Sequence, residues 1–256
     1  MFLGSANAQN GSINAELESD DPKLFPKTYI GAGAYSNGSA SRYGIALLGH
    51  FVLNDEVEVL GFASIWSTNV LLDVHGMYFF KETTVVKPVS VLLSSERYGN
   101  VVDRTFLKMN SKMLKRIGAR AGLFNDYISI SGSNSNESVG VFNTAFYAGA
   151  VINRRRAGAV KPEGHETVSF TRDLMLYGDV ILPVLTTVSN GGNVDALLGW
   201  RLGVYNRSTI ITKSIMFGYL IEIGRYPLPS LSYSEFGSFA AGLGGLRLMI
   251  TAGYCF

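Results

Sequence analysis

The sequence predicts an all-β chain that folds as an antiparallel transmembrane β-barrel of about ten to twelve strands. Three observations carry this prediction. Short runs of alternating apolar and polar residues follow one another from Thr28 onward, separated by turn residues. Only 16% of the residues are charged, against about 25% in soluble domains. No run of roughly 18 apolar residues occurs, so only strands are available to cross a membrane.

The last stretch of the chain, Leu246 to Phe256, shows the alternation most clearly. One face is wholly apolar and ends in two aromatic residues, whereas the other carries Arg247, Thr251 and Gly253. A strand has this pattern when one face meets lipid and the other faces a barrel interior. In chain order, the other apolar faces take every second residue of Tyr43 to Leu53, Val57 to Ile65, Leu72 to Phe80, Ile117 to Leu123, Leu174 to Val184, Ala196 to Val204 and Ile215 to Ile223.

Other stretches are less regular. Val85 to Ser95 and Asn100 to Met109 predict a hairpin, which Pro88 weakens; counting it gives twelve strands instead of ten. Val139 to Ile152 predicts a strand whose two faces are both nearly apolar, so its sides stay unassigned. We interpret residues 154–167 as a charged connection and residues 206–211 as a short turn.

The N-terminal residues predict no part of the barrel. Residues 1–8 end in the small-residue pattern Ala6-Asn7-Ala8, which is typical of a secretory cleavage site and predicts a signal-peptide remnant. A disordered N-terminus without function is the alternative. Residues 9–26 are acidic with almost no hydrophobic pattern, and predict a flexible extension on the periplasmic side. Residues 27–256 then form the barrel as one domain.

The inward faces of the predicted strands collect the charged residues. The predicted charge network of the lumen comprises Arg42, Asp73, Arg116, Arg120, Asp179, Arg201, Glu222 and Arg247, with His50 and His75 nearby. Charges in a barrel interior must be paired or hydrated. Two interpretations follow: ion pairs that plug a narrow barrel, or a water-filled pore whose five arginines against three acids favour anions.

If ion pairs plug the barrel, the order of the strands predicts which residues pair. We expect the lumen arginines from Arg116 onward to lie within reach of Asp73, Asp179 or Glu222. Glu222 lies on the strand between those of Arg201 and Arg247, and is therefore the expected common partner of these two arginines.

The sequence carries no motif that predicts catalysis, a cofactor or a metal site. The three histidines, His50, His75 and His165, lie in no recognisable nucleophile motif, and no His/Asp/Glu cluster has ligand spacing. The net charge of +2 gives no reason to expect nucleic acid as a partner.

The chain ending Tyr254-Cys255-Phe256, the Ala-x-Ala pattern and the alternating strands resemble small outer-membrane β-barrels of Gram-negative bacteria. The resemblance covers nearly the whole chain from Thr28, and its motifs are general to that class. It implies residence in the outer membrane, contact with its lipid, and a barrel-insertion machinery that recognises Tyr254 and Phe256. The endings Gly-Tyr-x-Phe and Asn-Ala-Gln are similar to those of Bacteroidota proteins.

In that group, barrels of this size include accessory subunits of the type IX secretion and gliding apparatus. The resemblance thus implies a non-enzymatic subunit of an envelope complex, with other subunits of the complex as partners. A passive small-solute channel that prefers anions is the alternative, and a lipid-modifying hydrolase of the outer membrane is a weaker one.

Overall fold

The computed structural model shows the chain as antiparallel strands. It describes residues 3–8, 11–37, 42–66, 69–98, 101–131, 138–163, 166–189, 198–209, 215–226, 231–233, 237–239 and 245–255. The strands are β1 (Leu3–Ala8), β2 (Gly11–Asp20), β3 (Thr28–Asn37), β4 (Arg42–Val52), β5 (Val57–Trp66), β6 (Asn69–Tyr98), β7 (Val101–Ser131), β8 (Ser138–Pro162), β9 (Val168–Val188), β10 (Gly199–Thr209), β11 (Ile215–Arg225), β12 (Leu231–Tyr233), β13 (Gly237–Phe239) and β14 (Gly245–Cys255). Within the described ranges, no helix is long and apolar enough to span a membrane.

Ten of these strands close into a barrel in the order β3-β4-β5-β6-β7-β8-β9-β10-β11-β14. Every pair of neighbours is antiparallel, and β14 pairs with β3 to complete the ring. We call the end where β3 starts and β14 ends the C-terminal rim, and the opposite end the loop rim. The predicted fold class, an antiparallel β-barrel, is confirmed at the lower end of the predicted strand number.

The two extra strands of the predicted hairpin are continuations of barrel strands. β6 and β7 pair from Val70 and Tyr127 to Tyr98 and Val101, with bulges after Phe79 and Leu92 as the irregularities. The apparent break in the alternation of apolar and polar residues is therefore caused by the bulges. A bulge changes which face of the sheet the following residues point to. Two further predictions need correction: residues 154–162 belong to β8 and residues 206–209 to β10.

The outer face of the barrel is an apolar belt, which is the arrangement that lipid requires. On β9, the outward residues from Leu174 to Val184 are all apolar or glycine. Ten residues of a strand that is tilted by about 40° from the barrel axis span roughly 26 Å along that axis. This height is close to the thickness of the hydrocarbon core of an outer membrane. Outward side chains include Ile45 at 70%, Leu182 at 51% and Ile223 at 56% exposure. A soluble protein of this size would not expose so continuous an apolar surface, so the fold is that of an outer-membrane-type β-barrel.

Beyond the belt, β6, β7, β8 and β9 continue past the C-terminal rim as an extension of the sheet. The hairpin β1–β2 is inserted there between β7 and β8: β2 pairs with β8, and Ala8 of β1 pairs with Leu107 of β7. Leu107, Val91 and Val160 are buried in a small second core on one face of this extension.

The structure differs from the predicted flexible extension at residues 9–26. Residues 11–20 form β2, and a 3₁₀ turn follows at Pro22–Leu24. Asp20 fixes the point where β7 and β8 separate, because its carboxylate accepts hydrogen bonds from Ser111 Oγ at 2.7 Å and from the Lys112 amide at 2.9 Å. The prediction that residues 1–8 are a signal remnant stays a prediction.

Glycines on the inner face make room for tyrosine rings. Gly203 lies opposite Tyr177 on one side and opposite Glu222 on the other. A Cβ at Gly203 would meet the Tyr177 ring, with Cε2 at 2.5 Å. The glycine therefore lets Tyr177 lie across β10 and donate a 2.6 Å hydrogen bond to Glu222.

We expect Gly203→Ala to lower the free energy of unfolding by about 1–3 kcal/mol, the range for overpacking. Gly76 is the matched control, because it faces outward and a Cβ there meets nothing within 4 Å. Urea titration of both variants in detergent micelles measures the difference. Equal stability of the two variants would contradict the packing of Tyr177 against β10.

Candidate functional site in the barrel lumen

The lumen is filled by side chains that carry balanced charge. Among the described residues, six buried arginines face six buried carboxylates. They are Arg116, Arg120, Arg155, Arg201, Arg207 and Arg247 with Glu58, Asp73, Asp126, Asp173, Asp179 and Glu222. The prediction that arginines outnumber acidic residues is therefore wrong for the described lumen. Net charge in this part of the lumen gives no reason to expect a preference for anions.

One group of charges, the C-terminal cluster, lies near the C-terminal rim. Glu58 accepts from Arg116 at 2.5 Å and from Arg155 at 2.9 Å. Asp173 accepts from Arg207 at 2.9 Å and from Arg155 at 3.2 Å. Arg155 thus joins the two carboxylates, and each buried charge has an opposite charge in contact, which offsets part of its desolvation cost.

Polar neighbours complete the C-terminal cluster. His50 Nε2 lies 2.8 Å from Glu58 Oε2. Asn153 accepts from Arg116 Nε at 3.0 Å and donates to Asp173 Oδ1 at 2.5 Å. The Asn153 amide therefore connects the two halves of the cluster.

A second group, the loop-side cluster, is centred on Arg201. Its Nε donates to Asp179 Oδ2 at 2.6 Å, and its NH1 forms a short contact with Asp73 and lies 3.3 Å from Glu222 Oε1. Arg120 Nε approaches Asp179 Oδ1 at 3.2 Å. One guanidinium thus holds carboxylates from three strands of the barrel, and links opposite walls of the lumen.

Aromatic rings line the loop-side cluster and stack on its arginines. The guanidinium carbon of Arg120 lies 3.7 Å from the ring centre of Tyr177, and that of Arg247 lies 3.3 Å from Tyr226. Tyr226 also donates to Glu222 at 3.1 Å. Such stacking satisfies the guanidinium faces, which hydrogen bonds in the plane cannot reach.

The structure brings most of the predicted network together. Glu222 lies between Arg201 and Arg247, at 3.3 and 3.9 Å, although the closer partners of Arg201 are Asp73 and Asp179. The prediction for Arg116 needs correction: its carboxylate is Glu58, because Arg116 lies at the level of the C-terminal cluster. Arg42 begins β4, and its side chain lies outside the described part of the structure.

Five lumen charges escaped the sequence analysis for identifiable reasons. Glu58 lies on the inward face of a correctly predicted strand, so alternation alone signals it. Asp173 and Asp126 lie one or a few residues outside the predicted strand cores. Arg155 and Arg207 lie in segments interpreted as a connection and a turn, because polar residues at the end of a strand have no apolar signature.

A segment that we call the strap, residues 21–27, crosses the C-terminal rim. It leads from β2, which pairs with β8, to β3, which stands opposite β8 in the ring. Phe25 is 3% exposed, and its ring centre lies 4.6 Å from the guanidinium carbons of both Arg155 and Arg207. The strap therefore seals the C-terminal cluster from solvent at this rim.

Lys23 ties the strap to the turn between β4 and β5, with Nζ 2.7 Å from Asp55 Oδ2. This hydrogen bond raises the pKa of Lys23 and lowers that of Asp55. The hydrogen bond stabilises the folded state at pH values between the pKa of Asp55 and the pKa of Lys23. This stabilisation is lost when the pH falls through the pKa of Asp55 or rises through that of Lys23. Both groups are largely exposed, so solvent screening keeps the contribution small.

A cavity inside the barrel measures about 10 Å³, room for about one water molecule. Leu60, Met175 and Leu220 line it together with Asp73 and His75. Several buried polar atoms of the lumen make no hydrogen bond in the structure: Arg201 NH2, Arg207 NH1, Arg247 Nε and Tyr205 Oη. Ordered water is the ordinary partner for such atoms.

The described histidines lie in the lumen, whereas Tyr254, which the resemblance implies is recognised by the insertion machinery, lies on the outer face. His50 and His75 are buried in the two clusters, and His75 Nδ1 lies 2.9 Å from Tyr147 Oη, while His165 lies outside the described residues. In the described part of the chain, no three His, Cys, Asp or Glu side chains are arranged to hold a metal ion. Tyr254 is 60% exposed on the outer face; Phe256 lies outside the described residues.

Comparison with known proteins adds little. No protein-family profile and no curated protein sequence matches the chain. Among solved structures, it is similar to an anion-selective porin from Comamonas acidovorans, with 8% identity over 95% of this chain and all of that one, and a TM-score of 0.22. This similarity is weak, and the class of outer-membrane-type β-barrel rests on the closed sheet and its apolar belt.

Proposed function

We propose that the protein is a closed, non-enzymatic barrel that anchors a folded sheet at the membrane surface for assembly with other envelope proteins. The observation that carries this proposal is the filled lumen: ion pairs link its walls at two levels, and the strap covers one rim. By the topology of outer-membrane barrels, the C-terminal rim and the extension beyond it face the periplasm.

The extension offers a partner a defined surface. β6 from Phe80 to Tyr98 has β7 on one side and no described strand on the other. This edge carries Pro88 and the exposed Lys87, which discourage indiscriminate strand pairing. The face that includes Val86, 64% exposed, is open to solvent, and we assign contact with other subunits to this face.

Planar-bilayer recording of the purified barrel tests the closed state, with no conductance steps as the expected result. A photo-crosslinking residue at Val86 then tests assembly in native membranes, where we expect one discrete adduct. The same residue at Phe146, which lies on the lipid-facing belt at 54% exposure, is the control. Absence of an adduct from Val86 would contradict the assembly role.

The second candidate function is a passive channel that prefers anions. Buried guanidinium nitrogens of Arg201, Arg207 and Arg247 without hydrogen-bond partners favour it, because such donors can bind small anions in transit. Discrete conductance steps with a reversal potential that follows chloride would support this function and overturn the closed barrel.

A further inference from the structure

The outer surface changes character abruptly where the apolar belt ends on β7, β8 and β9. Ile117 and Ile152 belong to the belt, at 40% and 46% exposure. The next outward-facing side chains on the three strands, toward the C-terminal rim, are those of Lys115, Arg154 and Arg172. Three adjacent strands thus place a cation at the same boundary, directly below lipid-facing residues.

These cations oppose one another across the sheet. Lys115 is paired with Arg154, and Arg156 with Arg172. Directly opposed residues have Cβ atoms about 5 Å apart, where like charges destabilise a sheet. The sequence therefore places repulsion at this position unless an anion lies between the side chains.

The described residues offer little compensation for this charge. No ion pair among them involves Lys115, Arg154 or Arg172. Arg156 donates to the Pro88 carbonyl at 2.9 Å, a neutral group, and is attracted by Asp20. The carboxylate of Asp20 is itself engaged by Ser111 and Lys112.

We infer that Lys115, Arg154, Arg156 and Arg172 form a binding site for the phosphate of an anionic phospholipid headgroup, in the leaflet at the C-terminal rim. Guanidinium groups bind phosphate oxygens in a bidentate manner, and a lysine adds a mobile charge. The acyl chains of the same lipid would cover Ile117, Ile152 and the belt above them. This site is independent of whether the barrel is closed or conducting.

The test compares the wild type with the triple variant Lys115→Gln/Arg154→Gln/Arg172→Gln in neutral detergent. Phosphatidylglycerol, phosphatidylcholine and inorganic phosphate are each added, and bound lipid is counted by native mass spectrometry. Each basic residue at an anionic lipid surface contributes about a fivefold factor. We therefore expect the triple variant to bind phosphatidylglycerol roughly a hundredfold more weakly, with binding of phosphatidylcholine unchanged.

The control variant Lys87→Gln/Lys108→Gln removes exposed charge from the extension, away from the belt, and should bind phosphatidylglycerol like the wild type. Single variants at Arg154 and Arg172 repeat the test if the triple variant does not fold. Equal binding by wild type and triple variant would overturn the site. So would equal affinity for phosphatidylcholine, or saturation by inorganic phosphate alone.

Discussion

Arg201→Met is expected to lower the free energy of unfolding by about 3–5 kcal/mol, the cost of removing one member of a buried ion pair. Arg201 is 1% exposed and contacts Asp73, Asp179 and Glu222. Methionine replaces most of its volume but none of its charge. Asp73 then remains buried without a contacting arginine, whereas Asp179 keeps Arg120 at 3.2 Å. Chemical denaturation in detergent micelles, followed by tryptophan fluorescence, gives the value.

Two comparison variants distinguish the loss of stability caused by unpaired buried charge from the loss caused by poorer packing. Arg225→Met removes an arginine that is only partly buried at the end of β11, and should cost less than about 1 kcal/mol. The double variant Arg201→Met/Asp73→Asn should be more stable than Arg201→Met, because it neutralises the carboxylate that has lost its only contacting arginine. If Arg201→Met costs no more than Arg225→Met, water reaches the lumen and the conducting candidate gains support.

Glu222→Gln should cost less than Arg201→Met. Arg201 keeps Asp73 and Asp179 when Glu222 is neutralised, and the new amide oxygen can still accept from one of the two tyrosines, Tyr177 or Tyr226. The other tyrosine loses its charged acceptor, and Arg247 loses the carboxylate that lies 3.9 Å from its NH1. We therefore expect about 1.5–3 kcal/mol, typical of a hydrogen bond to a charged group. The same denaturation series measures it.

Alternation predicted the inner and outer faces of the regular strands, because lipid on one side and packed charges on the other impose a period of two. It could not reveal strand length. The pairing of β6 with β7 continues far beyond the membrane, where both faces are partly polar and a bulge at Phe79 changes the phase. Arg155 and Arg207 were missed for the same reason, since they lie where the belt stops constraining the sequence.

The N-terminal hairpin was missed although a faint signal exists. Ala15 and Leu17 alternate with Glu16 and Glu18, and these apolar side chains pack on the second core. Such a short alternation is weak evidence in an acidic segment. What fixes β2 is an edge offered by β8 and the bonds of Asp20 to β7, and both depend on tertiary structure that one sequence does not display.

Phe25→Ala is expected to free the strap and raise the reactivity of Cys255 toward a maleimide by at least about a hundredfold, because Phe→Ala in a core costs about 3–5 kcal/mol. Cys255 is the only cysteine of the chain and lies on the inner face at the C-terminal rim, 8% exposed and opposite Tyr29. It therefore reports on access at the rim that the strap covers. The labelling rate in folded protein is the measurement.

The matched control is Leu24→Ala, which truncates the adjacent side chain of the strap, 66% exposed, and should leave the rate unchanged. A folded-state gel-mobility assay on each sample excludes labelling through global unfolding. Phe25→Trp should restore protection, since an indole also stacks on guanidinium groups such as those of Arg155 and Arg207. Equal labelling rates in Phe25→Ala and wild type would show that the strap does not close the rim.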